Sequence, residues 1–162
     1  MRVLLRHADA GVRTELGTAD EWRGLTELGH AQAEEVASRL RSVSLLRVLS
    51  SPSLRCRQTV VPLARKLGVD VEPRRELAID AGRRGLSWFV GDPETEATVL
   101  CTHREALEKL FADLALSGIT IPASGPPMEK AAAWLLLGAM DDRRGVRLHY
   151  LPAQRPAMLS RP

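Results

Sequence analysis

Three short apolar runs in the chain each lead to a basic or imidazole side chain and then into a stretch with helical spacing. The runs cover residues 2–5, 46–50 and 98–102, and each has the length of a buried strand. Strands that alternate with helices in this way predict a three-layer α/β/α fold with a mostly parallel central sheet. The carboxyl ends of parallel strands meet at one edge, which is where such sheets bind ligands.

The side chains that follow these runs suit the binding of a phosphoryl group. Arg6 and His7 end the first run, Arg55 comes soon after the second, and His103 follows the third. Guanidinium groups bind phosphate oxygens as a fork, and a neutral imidazole is a nucleophile that attacks phosphorus. Arg55 also falls in the first turns of a predicted helix, where a cation is unfavourable unless an anion lies beside it. The pattern therefore predicts an anion site built from these four residues.

Four segments resemble motifs of the histidine phosphatase superfamily, also called the phosphoglycerate mutase-like family. In chain order they read LRHADA (residues 5–10), LTELGHAQA (residues 25–33), SSPSLRCRQT (residues 50–59) and LCTH (residues 100–103). The second is similar to the family's L-T-x-x-G-x-x-Q-A and the third to its S-S-P-x-x-R-A-x-Q-T. The chain resembles the small SixA-like branch and the C-terminal domain of two-domain actinobacterial Nudix hydrolases. Ala8, where the family commonly has glycine, suits that branch.

The resemblance implies a metal-independent phosphatase with the phosphoglycerate mutase-like fold and no cofactor. His7 is then the nucleophile that forms a phosphohistidine intermediate, while Arg6, Arg55 and His103 bind the phosphate. The implied substrate is a phosphohistidine protein or a small phosphorylated metabolite. Mutase activity is not expected, because the chain lacks the long insertions with which mutases enclose phosphoglycerate.

The general acid is the role that the sequence matches least well. The family's mutases and acid-type phosphatases carry a glutamate in the stretch that corresponds to residues 75–82, and Ile79 stands at its position here. Asp80, one position further on, is the candidate proton donor, and its alternative interpretation is a surface carboxylate. A missing acid favours leaving groups that depart without a proton, such as those of phosphohistidine and nucleotide polyphosphates.

Other functions stay open at this point. One is a nucleotide or sugar phosphatase, and another is a catalytically silent module that holds a phosphorylated ligand in the same pocket. A divalent-metal site on His7 and His103 is disfavoured, because no carboxylate or cysteine set has ligand spacing and two arginines repel the ion.

The remaining basic residues have no assigned role. Arg104 either adds charge for a polyphosphate or phosphoprotein, or lies on the surface. His30 and His149 belong to no motif and are expected to be structural. Further candidates for the rim of the pocket are Arg13, Arg57, Arg83 and Arg84.

Composition supports one cytoplasmic domain over residues 1–151, followed by a proline-rich tail over residues 152–162. The chain has 162 residues, of which 44% are hydrophobic and 4% aromatic, enough for one core. The longest apolar stretch, residues 131–140, is shorter than the ~18–20 residues of a membrane span, and no signal peptide is expected.

Charge and cysteine content limit which classes of binding partner are expected. The net charge of +3 comes from dispersed arginines with few aromatic residues, so we expect no nucleic acid partner. Cys56 and Cys101 form neither a disulfide framework nor a metal pattern. The sequence does not set the oligomeric state.

Overall fold

A mixed sheet runs through the part of the chain that the structure describes. This computed structural model describes residues 1–12, 18–81, 85–122, 127–138 and 145–154, with only the backbone of residues 18, 19 and 88. Its strands are β1 (Arg2–Arg6), β2 (Arg47–Ser50), β3 (Val71–Pro73), β4 (Thr98–Thr102), β5 (Ala133–Leu137) and β6 (Arg147–Leu151). Their order in the sheet is β3-β2-β4-β1-β5-β6. The first four are parallel, and β5 and β6 are antiparallel, which confirms the predicted mostly parallel sheet.

Helices cover both faces of this sheet. They are α1 (Thr18–Glu21), α2 (Glu27–Leu40), α3 (Leu54–Leu67), α4 (Leu86–Phe89) and α5 (Arg104–Leu116). Successive side chains of β1 point to opposite faces, so Val3 and Leu5 pack with α2 and α3, while Leu4 packs with α4 and α5. The three-layer α/β/α fold predicted from the sequence is therefore confirmed. None of the described helices is long and apolar enough to cross a membrane.

Helix α2 follows the sequence prediction closely. The Thr26 hydroxyl caps it by accepting a hydrogen bond of 3.1 Å from the Gly29 N–H. Its apolar face is buried against the sheet through the four residues that the spacing predicted: Ala33, Val36, Ala37 and Leu40. Helix α3 ends as predicted at Gly68, whose φ of +70° suits glycine.

The start of α3 differs from the prediction. The Ser51-Pro52 pair in the sequence predicts a helix capped by Ser51 with Pro52 as its first residue, but the helix begins at Leu54 and Ser53 takes the cap position. The Ser51 hydroxyl binds the ring of His103 instead. Ser53 has extended backbone, with φ −60° and ψ 141°.

The less regular segments agree with the sequence in part. The short helix expected over residues 85–90 is present as α4, flanked by 3-10 turns at Arg75–Leu77 and Pro93–Thr95. The two C-terminal strands pair as predicted. The turn predicted over residues 141–145 and the tail over 152–162 lie largely outside the described residues.

Strand register brings three chain segments to one edge of the sheet. Arg6 pairs with Thr102 and Ser50 pairs with Cys101. Just past these pairs, the N–H of His7 donates to the carbonyl of Thr102 over 3.0 Å. The residues that follow β1, β2 and β4 therefore meet at the carboxyl edge of the sheet, where α/β proteins bind their ligands.

Candidate active site

The His7 ring is held in one tautomer directly after β1. Its Nδ1 lies 2.8 Å from the carbonyl oxygen of Ala8. A carbonyl only accepts hydrogen bonds, so Nδ1 carries the proton and Nε2 keeps a lone pair. The pKa of His7 is lowered to about 4, mainly by burial; Cys56 and the Ala8 carbonyl oppose this shift, and His103 and Arg55 add to it. His7 is therefore a neutral imidazole with a free Nε2 at neutral pH.

His103 lies beside His7 and is held from both sides. The two ring centroids are 5.4 Å apart, with an angle of 64° between the planes. Arg55 donates from Nη2 to Nδ1 of His103 over 3.3 Å, so the proton of this ring is on Nε2. Nε2 then donates to the Ser51 hydroxyl at 2.9 Å, with the Ser53 hydroxyl at 3.3 Å. The loop before α3 thus fixes the orientation of the second imidazole.

Arg55 is a buried cation whose counter-charge comes from Asp20 in α1. The side chain is 4% exposed and projects from the first turn of α3. It donates from Nη1 to the backbone carbonyl of Asp20 at 2.7 Å, and its Nη2 lies 3.1 Å from the Asp20 carboxylate. The other carboxylate oxygen lies 2.7 Å from Nε of Arg23. No local sequence pattern predicts a role for Asp20, because its contact with Arg55 joins two helices that are distant in the sequence.

Arg6 projects to the other side of the strand end. Its guanidinium donates to the carbonyl of Met128, and its neighbours on α5 include Arg104 and Glu108. Burial and the charge of Arg104 lower the pKa of Arg6. No described hydrogen bond joins Arg6 to the cluster of His7, Arg55 and His103. The structure thus brings His7, Arg55 and His103 together. Arg6, the fourth predicted residue, is adjacent to His7 in the sequence.

Arg6 and Arg55 each have a guanidinium nitrogen with no described partner. The Nε atoms of Arg6 and Arg55 are buried and donate to no acceptor among the described residues. A buried N–H without an acceptor costs roughly 1–3 kcal/mol. An oxyanion at this edge would supply the missing acceptors.

A cavity of about 280 Å³ opens beside Arg55 and His103. Its wall includes Asp80 and Ile79, and on the opposite side Asp20 and Glu21. Asp80 is exposed, and no described hydrogen bond fixes its carboxylate. The candidate acid therefore reaches the pocket, but it is not held toward His7.

The LTELGHAQA motif holds the loop that follows His7. Gln32 accepts from the Asp9 N–H at 2.8 Å, and the Asp9 carboxylate accepts from the Thr26 hydroxyl at 2.7 Å and binds Lys130. Partial burial raises the pKa of Asp9, but the hydrogen bonds from Lys130 and Thr26 lower it to about 2. A Cβ on Gly29 would lie 1.9 Å from the Asp9 carbonyl oxygen, so only glycine allows this approach.

The other basic candidates lie away from this cluster or outside the described residues. Arg104 is exposed and pairs with Glu108 at 2.6 Å along α5, so it is a surface residue in this structure. Arg57 is exposed on α3, and His30 and His149 are exposed as well. Arg13, Arg83 and Arg84 lie outside the described residues.

The two cysteines form no disulfide, and the described residues form no metal site. Cys56 and Cys101 are both buried free thiols, and the Sγ of Cys56 lies 3.6 Å from Nε2 of His103. In the described ranges, no group of three or more His, Cys, Asp or Glu side chains is arranged to hold a metal ion.

The fold and this edge define an α/β domain with an imidazole-containing anion site. The chain belongs to the histidine phosphatase superfamily (branch 1), whose family model matches residues 3–84. This membership confirms the family resemblance drawn from the four motifs.

Solved structures and a curated relative agree with this assignment. The chain is similar to the protein histidine phosphatase SixA complexed with tungstate, at 23% identity and a TM-score of 0.69, over 98% of this chain and 99% of the other. It is also similar to a putative phosphohistidine phosphatase SixA from Agrobacterium tumefaciens, at 27% identity and a TM-score of 0.67, over 94% and 97%.

The curated relative is a longer protein. An 8-oxo-(d)GTP phosphatase of Mycolicibacterium smegmatis is 30% identical over 116 residues, which are 67% of this chain. The match spans 35% of the length of that relative.

Proposed function

We propose that the domain hydrolyses phosphorylated substrates through a covalent intermediate on Nε2 of His7. The observation that carries this proposal is the tautomer of His7, because the Ala8 carbonyl holds the proton on Nδ1 and leaves a lone pair on Nε2. The lowered pKa of His7, about 4, keeps this ring neutral at neutral pH. A nucleophilic imidazole needs both properties.

The reaction then runs in two steps. The Nε2 lone pair forms a bond to phosphorus, while the bond to the leaving group breaks and the leaving group takes its electron pair. Water then attacks the phosphohistidine, which releases orthophosphate and returns neutral His7. Arg55 binds the non-bridging oxygens during both steps with its charge, and the neutral His103 contributes its ring N–H, so that both stabilise the transition state.

Arg6 completes the phosphate site in this proposal. Its buried Nε lacks a described acceptor, as does Nε of Arg55. A phosphoryl group has three non-bridging oxygens, enough to accept from both guanidinium groups and from an imidazole. The Met128 carbonyl holds the other end of Arg6.

The substrate class that this site suits best is one with a good leaving group. Asp80 is exposed and is not oriented toward His7 by any described hydrogen bond, so the site offers no fixed proton donor. The nitrogen leaving group of a phosphohistidine protein, or a phosphate leaving group of a small metabolite, departs more readily than an alkoxide. The resemblance to SixA structures supports the first of these substrates.

A nucleotide substrate is the second candidate. The observation in its favour is the relative that is named as an 8-oxo-(d)GTP phosphatase. Sugar phosphates, and a silent module that binds without turnover, are the remaining alternatives.

A panel of substrates tests these proposals together. The panel contains an aryl phosphate, a phosphohistidine protein, nucleoside phosphates and phosphosugars, each assayed with a chelator present. We expect turnover of the phosphohistidine protein to exceed that of the phosphosugars, with no loss on chelation. Activity that requires an added divalent ion contradicts the metal-independent mechanism, and phosphate binding without any turnover identifies a binding module.

A further inference from the structure

The phosphate-binding guanidinium of Arg55 already has an anionic partner within the protein. Asp20 holds it at two points: the backbone carbonyl accepts from Nη1 at 2.7 Å, and the carboxylate lies 3.1 Å from Nη2. Both side chains are 4% exposed. The same Nη2 also donates to His103, so this contact lies inside the proposed phosphate site.

A phosphoryl group and the Asp20 carboxylate have the same chemistry at this position. Both are anionic oxygen groups that accept from Nη2 of Arg55. Two anions on one buried guanidinium repel each other strongly, because the surrounding dielectric is low. A phosphoryl group that accepts from Nη2 as well as from the unpartnered Nε of Arg55 therefore displaces the Asp20 carboxylate.

Arg23 gives the carboxylate a second place to bind. Its Nε lies 2.7 Å from Oδ1 of Asp20, whereas Nη2 of Arg55 lies 3.1 Å from Oδ2. Arg23 is itself anchored, since it donates from Nη1 to the Ala10 carbonyl at 2.5 Å in the loop after β1. A small rotation of the Asp20 side chain keeps its ion pair with Arg23 and releases the other oxygen from Arg55.

We propose that Asp20 is an exchangeable counter-ion for Arg55, which competes with the phosphoryl group and returns when orthophosphate leaves. This inference rests on the proposed function, because it needs Arg55 in the phosphate site. Its consequence is that Arg55 is not left as an unpaired buried charge after product release, a state that is costly in proteins. Asp20 thus lowers the affinity for the product and sets the specificity of the site for ligands that outcompete a carboxylate.

The test is the affinity for orthophosphate and for vanadate, measured by calorimetry on the folded chain. Asp20→Asn keeps the size and the backbone carbonyl but removes the competing charge, so both anions should bind roughly tenfold more tightly. Glu21→Gln is the matched control, since this neighbouring carboxylate lines the same cavity but is exposed. Its effect should be less than threefold. Thermal unfolding of each variant shows that it is folded.

A double-mutant cycle tests the role of Arg23. The single variant Arg23→Gln also tests the exchange if Asp20→Asn folds poorly. Arg23→Gln strengthens the hold of Asp20 on Arg55, so orthophosphate should bind more weakly than to the parent. In the Asp20→Asn background the same change should have little effect, because the two residues act through one contact. Equal effects of Arg23→Gln in both backgrounds overturn the exchange.

The outcomes separate this inference from the proposed function. If Asp20→Asn weakens phosphate binding, Asp20 only positions Arg55, and the exchange is wrong. An affinity unchanged from the parent also overturns it. If the parent itself binds neither anion, or if Arg55→Lys binds both as tightly as the parent, the phosphate site is misassigned and both proposals fall.

Discussion

The ring centroids of His7 and His103 lie 5.4 Å apart, although the two residues follow β1 and β4 and are far apart in the sequence. The pairing of Arg6 with Thr102 in the register of β1 and β4 puts the two histidines side by side. Arg55 reaches His103 from α3, and the three side chains together form the core of the site. Predictions about each of them follow from these contacts.

Replacing Arg55 by lysine should damage catalysis although the charge is kept. A lysine cannot contact His103 and a phosphoryl oxygen from one rigid planar group. We expect kcat/KM to fall ~10–1000-fold, the scale of losing one preorganised oxyanion donor. The control is Arg57→Lys, at an exposed position two residues further along α3. Equal kinetics for the two variants show that Arg55 is not in the site.

The lowered pKa of His7 should make folding stability depend on pH. The unfolded chain binds a proton at His7 below its ordinary pKa of 6.5, whereas the folded protein does not until about pH 4. Acidification from 6.5 toward 4 therefore favours the unfolded state, and the full shift corresponds to about 3 kcal/mol. Below about pH 4 this contribution stays constant.

Urea unfolding of the parent and of His7→Asn at several pH values measures this effect. The parent should lose more stability than the variant between pH 6.5 and 4. Parallel pH profiles for the two proteins mean that His7 titrates normally in the folded state.

Gly29→Ala should destabilise the domain through the loop that carries the site. The added Cβ would lie 1.9 Å from the Asp9 carbonyl oxygen, so α2 must shift away from the loop after His7. We expect a loss of about 1–3 kcal/mol in the free energy of unfolding, as for other overpacked sites. Gly24→Ala is the control, because there the nearest atom to the Cβ is the end of the Gln58 side chain, at 3.0 Å, and not backbone. Similar stability of both variants contradicts the close approach.

Asp80→Asn tests whether this carboxylate is the general acid. We expect the rate of the parent to depend steeply on leaving-group pKa across a series of aryl phosphates, and the variant to show the same slope. Glu76→Gln, beside the neighbouring cavity that Asp80 also lines, is the control. A shallow slope in the parent that becomes steep only in Asp80→Asn identifies Asp80 as the proton donor. Alkyl phosphates would then slow by ~10²–10⁴-fold.

The order of elements could be predicted from the sequence, because it depends on local signals. Apolar runs of strand length, the Thr26 cap and the Gly68 terminus each specify their element without help from distant residues. The same signals placed His7 and His103 at one sheet edge. These predictions needed only the rule that the carboxyl ends of parallel strands lie at one edge of the sheet.

Side-chain direction and long-range ion pairs could not be predicted in the same way. Arg6 follows Leu4 in the period of two along β1, so it lies on the face that packs against α5, and no described hydrogen bond joins it to His7, Arg55 or His103. The contact of Asp20 with Arg55 depends on the path of the chain between β1 and α2, which no local pattern specifies. Ser51 was misassigned for a related reason, since its partner His103 is distant in sequence.

Trapping the intermediate tests the central claim most directly. Rapid acid-free quenching during turnover, followed by mass spectrometry of peptides, locates any phosphoryl adduct on the chain. We predict an acid-labile, base-stable adduct on His7 alone, with its loss in His7→Asn and a fall in turnover of several orders of magnitude. An adduct on another residue, or full activity of His7→Asn, would contradict covalent catalysis by His7.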